Sequence, residues 1–264
     1  MSASFADDAV KVKFEAQIVQ GAIALKDDVQ WSIAPLDKSG TPAQTLTKAQ
    51  PELMLVPGRY RATATVGFVT ATNNITITGP GRQVLVLNGG YMRLAMIPDR
   101  KGKPIDDPIQ WQVYPYAKTG ADEARKVVEV VSPSPQFTLA PGYYIVRSKY
   151  QGIVNEMVSE VRPGIAYKYT VVGYAGKVLL SAVDSKGKAV KSNIEWSIEK
   201  AAKDGTTKRT QVVTDKTATP KILLGEGKYV IVARSGKLVG ETPIEIKQFD
   251  TKSVKVQLKP EGAS

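Results

Sequence analysis

The chain predicts an all-β fold made of three tandem antiparallel β-sandwich repeats, and three observations carry that prediction. A turn dipeptide followed two residues on by Tyr and an alternating run occurs three times, as Pro57-Gly58-Arg59-Tyr60, Pro141-Gly142-Tyr143-Tyr144 and Glu226-Gly227-Lys228-Tyr229. Each reads as a tight turn feeding a strand whose first inward side chain is the Tyr. Three tryptophans, Trp31, Trp111 and Trp196, recur at matching distances from these tyrosines. No segment carries a helical apolar period over 11 residues or more.

The tryptophans set the register. Phe14, Leu94 and Leu179 each lie 17 residues before a Trp, and between them Leu25 aligns with Ile105 and Val190, and Val29 with Ile109 and Ile194. A pattern kept over three copies marks true repetition. Trp to Tyr is 29 residues in the first copy and 33 in the others, with the extra residues in polar stretches such as 118–122 and 202–206, which read as loops. The nearest approach to a helix is Ala121-Asp122-Glu123-Ala124-Arg125, enough for a single turn. Each repeat's strand ends at a glycine, Gly67, Gly152 or Gly236, and final strands follow at 83–87, 167–171 and 253–258. The predicted domains are 1–90, 91–176 and 177–264. In Ile109-Gln110-Trp111-Gln112-Val113, alternation puts Ile109, Trp111 and Val113 on the core face.

Asp184-Ser185-Lys186-Gly187-Lys188-Ala189-Val190, Ile194-Glu195-Trp196-Ser197-Ile198 and Gly225-Glu226-Gly227-Lys228-Tyr229 resemble the bacterial prealbumin-like or carboxypeptidase-regulatory-like domain, an Ig-like sandwich. Asp99-Arg100-Lys101-Gly102-Lys103-Pro104-Ile105 and Leu139-Ala140-Pro141-Gly142-Tyr143-Tyr144 carry the same likeness in the second repeat; Gln20-Gly21-Ala22-Ile23 departs from it in the first. The matching motifs are turns and core positions, so they speak for fold rather than activity. The resemblance implies a spacer, stalk or accessory binding module of an envelope or secreted protein.

Composition narrows the chemistry. The 264 residues include no His and no Cys, which removes His-dependent nucleophile systems, His general bases, the usual N/S zinc sites and disulfides. The paired acids Asp27-Asp28 and Asp106-Asp107 sit in no calcium-loop pattern and read as turn formers. The expectation is therefore a protein with no catalytic residues, metal or cofactor. Small residues at Ser4-Phe5-Ala6 before Asp7-Asp8 suit an export-processing site and a periplasmic or cell-surface location, and no apolar run of membrane-spanning length is present.

Two binding surfaces suggest themselves. Nine of the 11 tyrosines fall in the second repeat; Tyr144, Tyr167 and Tyr169 read as core, the last two by alignment with Val84 and Val86, whereas Tyr114, Tyr116 and Tyr143 read as outward-facing. Outward Tyr rings suit stacking on a sugar or burial against a protein, so an envelope protein or polysaccharide is the expected partner. The net charge of +11 divides as +1, +3 and +7 over the three repeats. Lys186, Lys188, Lys191, Lys200, Lys203, Lys208 and Arg209 make the third repeat the alternative surface, for an acidic glycan, a membrane surface or nucleic acid. Nucleic acid fits least, because the third repeat has few aromatics and no recognisable nucleic-acid-binding motif.

Overall fold

The computed structural model describes residues 9–27, 29–37, 42–202 and 208–262. The architecture is all-β, with paired sheets stacked in the Ig-like manner. The first repeat holds β1 (Val10–Gln17), β2 (Gln30–Pro35), β3 (Gln44–Thr47), β4 (Glu52–Leu55), β5 (Gly58–Val66), β6 (Val69–Ile77) and β7 (Gly81–Val86). The second holds β8 (Gly90–Ile97), β9 (Ile109–Pro115), β10 (Val128–Ser132), β11 (Gln136–Leu139), β12 (Gly142–Tyr150), β13 (Ile153–Val161) and β14 (Ala166–Val172). The third holds β15 (Gly176–Val183), β16 (Ala189–Val190), β17 (Glu195–Ala201), β18 (Arg209–Asp215), β19 (Lys221–Leu224), β20 (Gly227–Ser235), β21 (Leu238–Ile246), β22 (Thr251–Gln257) and a short β23 (Lys259–Pro260). The single turn foreseen near residue 123 is a 3-10 turn, Glu123–Arg125, capped by the Asp122 side chain.

Among the described residues six sheets form, two per repeat. In the first, β4-β1-β7 faces β3-β2-β5-β6; in the second, β11-β8-β14 faces β10-β9-β12-β13; in the third, a sheet of β16, β15, β19 and β22 faces β18-β17-β20-β21-β23. Most pairs are antiparallel, but the first and last strands of each repeat's inner sheet run parallel, as β1 with β7, β8 with β14 and β15 with β22. Each pair of sheets encloses one hydrophobic cluster, around Phe14 and Trp31, Leu94 and Trp111, and Leu180 and Trp196.

The two diagnostic side chains do the same thing three times. Each Trp indole N–H donates to a backbone carbonyl on the way to the next strand, at 2.9 Å in every copy: Trp31 to Lys48, Trp111 to Ser132, Trp196 to Thr217. Each Tyr hydroxyl folds back to the carbonyl four residues upstream, Tyr60 to Val56, Tyr144 to Ala140 and Tyr229 to Gly225. This gives an otherwise buried phenol its partner at the corner where the chain enters the strand.

The strands ending at Gly67, Gly152 and Gly236 turn there through two-residue hairpins, Gly67-Phe68, Gln151-Gly152 and Gly236-Lys237. Gly67 and Gly236 hold φ of 58° and 59° at the first turn position, and Gln151 and Gly152 hold 44° and 78°. Positive φ of this kind matches the right-handed twist of the flanking strands.

Two sequence alignments shift by a residue or more. Gly90 opposite Leu139 and Gly176 opposite Leu224 are equivalent strand starts, so Leu94 corresponds to Leu180 rather than Leu179. Leu180 is buried and Leu179 only half so. The loop before Val190 is one residue shorter than its counterpart before Ile105, which a count from Trp cannot detect. Likewise Tyr169 lies opposite Leu94 as Gln83 lies opposite Phe14, so Tyr167 and Tyr169 do not correspond to Val84 and Val86. Both rings are half-buried at the sandwich margin and stack on each other with centroids 5.6 Å apart. Tyr169 also uses its hydroxyl to bond both the N–H (3.1 Å) and the C=O (2.7 Å) of Glu160 on edge strand β13.

The joints repeat one contact. The hairpin tip of the first repeat rests on β11 of the second, where the Phe68 N–H donates to the Thr138 carbonyl at 3.0 Å and the Phe68 ring meets Phe137 edge-on at 6.3 Å. The hairpin tip of the second rests on β19 of the third, where the Leu223 N–H donates to the Gln151 side chain at 3.1 Å and the Lys200 ammonium to the Gly152 carbonyl at 3.4 Å. Strands β11 and β19 occupy equivalent places. The linkers are bonded in register as well: Gly89 to Ile18 and Gly164 to Gly89 at the first joint match Ala175 to Pro98 and Phe249 to Ala175 at the second.

Candidate functional site

Tyr114 does not face out. It is fully buried, because the outer face of β9 is covered by the turn at Glu123–Arg125. Its hydroxyl donates to Glu123 Oε1 at 2.9 Å, and Arg147 lies over its ring at 5.1 Å, donates to its oxygen, and pairs with both Glu123 and Glu156. Burial, and then the bond to Glu123, push the Tyr114 phenol above its usual range. Alternation placed the side chain on the correct face of the strand; the lid over that face comes from residues 9 and 33 positions further on. Next to it, Glu129 accepts from Lys126, Gln112 and Gln110, which hold its carboxyl down to about 2.

Tyr116 and Tyr143 are exposed, 46% and 58% respectively. The Tyr116 N–H donates to the Tyr143 carbonyl at 2.9 Å, which makes the two a cross-strand pair on one face. Glu160 stands opposite Tyr143 on β13 and is paired with Arg162 at 2.9 Å.

The basic residues of the third repeat divide between its two ends. Lys186 and Lys188 sit in the turn after β15, held by their backbone N–H bonds to Asp184, and Lys191 follows β16; all three are exposed. That end also holds Ser192, bonded to Ser235 in the outer hairpin. Arg209 and Lys208 lie at the other end of β17, alongside Ala201 and near the contact of Lys200 with the second repeat. The 7 residues of β17 separate the groups by about 20 Å. Arg209 is moreover paired with Glu241 and Glu199. Lys203, the Asp28 of the first acidic pair and the residues 4–8 of the export reading lie outside the described residues.

One concavity was not foreseen from the sequence. A cleft of about 990 Å³ opens at the joint of the second and third repeats. Its floor carries Ile105, Ala175, Leu223 and Tyr150, whose hydroxyl donates to Asp107 at 2.6 Å; burial and that bond raise the Tyr150 phenol's pKa. One wall is an aromatic pair, Tyr174 and Phe249, with ring centroids 5.8 Å apart and planes at 60°. These rings are 37% and 52% exposed.

Both aromatics sit in left-handed backbone, Tyr174 at φ 50° and Phe249 at φ 64°. The register of the linker bonds makes them the counterparts of Asn88 (φ 53°) and Gly164 (φ 72°) at the first joint. Asn and Gly accept that conformation readily. Tyr and Phe do not, and holding them there costs about 1–3 kcal/mol each. The signal was present in the sequence: Pro163-Gly164 has Gln248-Phe249 in its place one repeat later.

Charges line the rest of the cleft. Asp99 accepts from the Lys101 N–H and Asp250 from the Lys247 N–H, so two of its carboxylates cap backbone groups. Arg100, Lys101, Lys103, Lys177 and Lys221 also line it, are exposed, and none joins an ion pair among the described residues. Among the described residues no cluster of acidic groups suits a metal ion, and no helix is long and apolar enough to cross a membrane.

No family model and no curated protein matches the chain. Solved structures to which it is similar include the Bacillus anthracis TIE protein, with 18% identity over 96% of this chain and 51% of that one and a TM-score of 0.30. They include a streptococcal ancillary pilin, with 12% identity over 96% of this chain and all of the other and a TM-score of 0.36. A third is BcpA, the major pilin subunit of Bacillus cereus, with 12% identity over 96% and 100% and a TM-score of 0.25. The chain spans about half the length of the Bacillus anthracis protein.

Proposed function

We propose that this chain is a non-enzymatic structural and binding segment of a bacterial envelope protein, positioned outside the cytoplasm, in which three sandwich domains (1–90, 91–176 and 177–264) are locked head to tail and hold a binding surface at fixed spacing. The observation that carries the reading is the repeated joint. At both boundaries a two-residue hairpin tip bears on the same strand of the next repeat, and the linker residues bond the preceding and following repeats in the same register. Linkers free to swing would leave those N–H and C=O groups to water; here they are spent on fixing the angle. An envelope protein or polysaccharide is the partner such a segment would present itself to.

Two cysteines introduced at exposed Thr45 and Lys255 would be the chain's only thiols. Spin labels there should give one narrow distance by double electron–electron resonance. A broad distribution would mean beads on a flexible string and overturn the rigid-segment reading.

A further inference from the structure

We propose that the cleft between the second and third repeats binds an anionic saccharide, its ring face against Tyr174 and Phe249 and its carboxylate or phosphate towards Arg100, Lys101, Lys103, Lys177 and Lys221. The inference deepens the binding role proposed above and rests on it.

Three observations select this ligand. The aromatic pair is kept at positions where the first joint carries Asn88 and Gly164 and where bulky side chains are strained, and the linker bonds common to both joints form without it at the first. A strained backbone that persists points to a purpose served by the side chains, and here they present open apolar faces to a cleft. Next, the five cations join no ion pair among the described residues and outnumber the four aspartates of the lining, which leaves the cleft net positive. Finally, Asp99, Asp106, Asp107 and Asp250 also line it; carboxylates accept bonds from hydroxyl groups, which a sugar supplies in number.

The same features set aside the other anions. A peptide added as a strand needs a run of free backbone groups, whereas the Gly173, Ala175, Lys177 and Leu223 N–H groups along the cleft are already bonded. Single-stranded nucleic acid stacks successive bases on separate platforms, but these two rings, at 60° with centroids 5.8 Å apart, offer a single one.

The test is titration calorimetry of the full chain with oligogalacturonate and with a maltohexaose phosphate, which separate carboxylate from phosphate as the anionic group. Maltohexaose, an oligo-glutamate and a deoxythymidine decamer complete the set. One of the two acidic saccharides should bind, maltohexaose should not, and Tyr174→Asn with Phe249→Gly should weaken binding about tenfold or more. Because that double variant copies the first joint, its Tm should be equal or higher, so loss of binding cannot be put down to misfolding. Lys177→Gln with Lys221→Gln should weaken binding as well. Absence of binding to both acidic saccharides, binding indifferent to the Tyr174/Phe249 change, or equal binding of the oligo-glutamate or the decamer would each overturn the inference. A narrow spin-label distance alongside any of these results would leave the rigid segment standing and remove this site alone.

Discussion

The indole nitrogen of Trp111 donates to the carbonyl of Ser132, 21 residues later, while the same bond in the first repeat, Trp31 to Lys48, closes over 17. The difference of four residues is the same as that between the Trp-to-Tyr spacings of 33 and 29. The extra residues therefore lie wholly between the Trp and its acceptor, in the excursion that includes the turn at Glu123–Arg125 and ends in β10. The sandwich tolerates the insertion because the Trp finds its carbonyl by position in the fold, not by distance along the chain.

Trp111→Phe removes this donor and the larger ring from a fully packed core. The Ser132 carbonyl loses that donor and a void opens beside it, so urea unfolding should show a loss of about 3 kcal/mol. Tyr144→Phe removes only one hydroxyl bond and should cost about 1 kcal/mol.

Ser148 and Asn155 face each other across β12 and β13, and the Ser148 hydroxyl and the Asn155 amide nitrogen are buried without partners among the described residues. The first repeat has Ala64 and Ala71 at the same places, the third Ala233 and Gly240. Ser148→Ala should therefore stabilise the chain by about 1 kcal/mol in urea unfolding. A loss of stability instead would show that the pair is satisfied in solution.

Gly67 and Gly236 occupy the same turn position with the same φ, yet a Cβ on Gly67 would come within 3.1 Å of the Thr138 carbonyl while one on Gly236 would touch nothing. Gly236→Ala should cost about 1 kcal/mol for the backbone alone. Gly67→Ala should cost more and broaden the spin-label distance between the first and third repeats. Equal effects would show that the hairpin tip does not bear on the second repeat.

Burial raises the phenol of Tyr229 to about 12 and shifts Tyr60 and Tyr144 upward too. A pKa raised by folding contributes stability that is complete below the unfolded value, about 10, and is lost as pH climbs through the folded one. Stability should thus hold to pH 10 and fall between 10 and 12. Absorbance at 295 nm should show these three phenols ionising together with unfolding.

The repeats were legible because the residues that mark them act locally. Tyr60, Tyr144 and Tyr229 follow a turn and bond four residues back, so spacing alone locates them. Tyr114 was misread because period-2 alternation tells which face a side chain takes, while Glu123 and Arg147, which close that face, are brought there by a loop and a neighbouring strand. The basic residues near Lys186 and Arg209 are close in sequence but are carried to opposite ends by the strand between them. The cleft required two steps that periodicity does not offer: aligning Phe249 with Gly164 and Tyr174 with Asn88, then placing both at a boundary between repeats.

The parallel pairing of first and last strands fixes how each repeat would carry tension. The chain enters at the start of β8 and leaves at the end of β14, and in a parallel pair those points lie at opposite ends of the ladder. A pull along the chain therefore slides the two strands past each other and loads all their cross-strand bonds together, instead of peeling them one by one. The same holds for β1 with β7 and β15 with β22, so all three repeats resist stretching in their strongest direction.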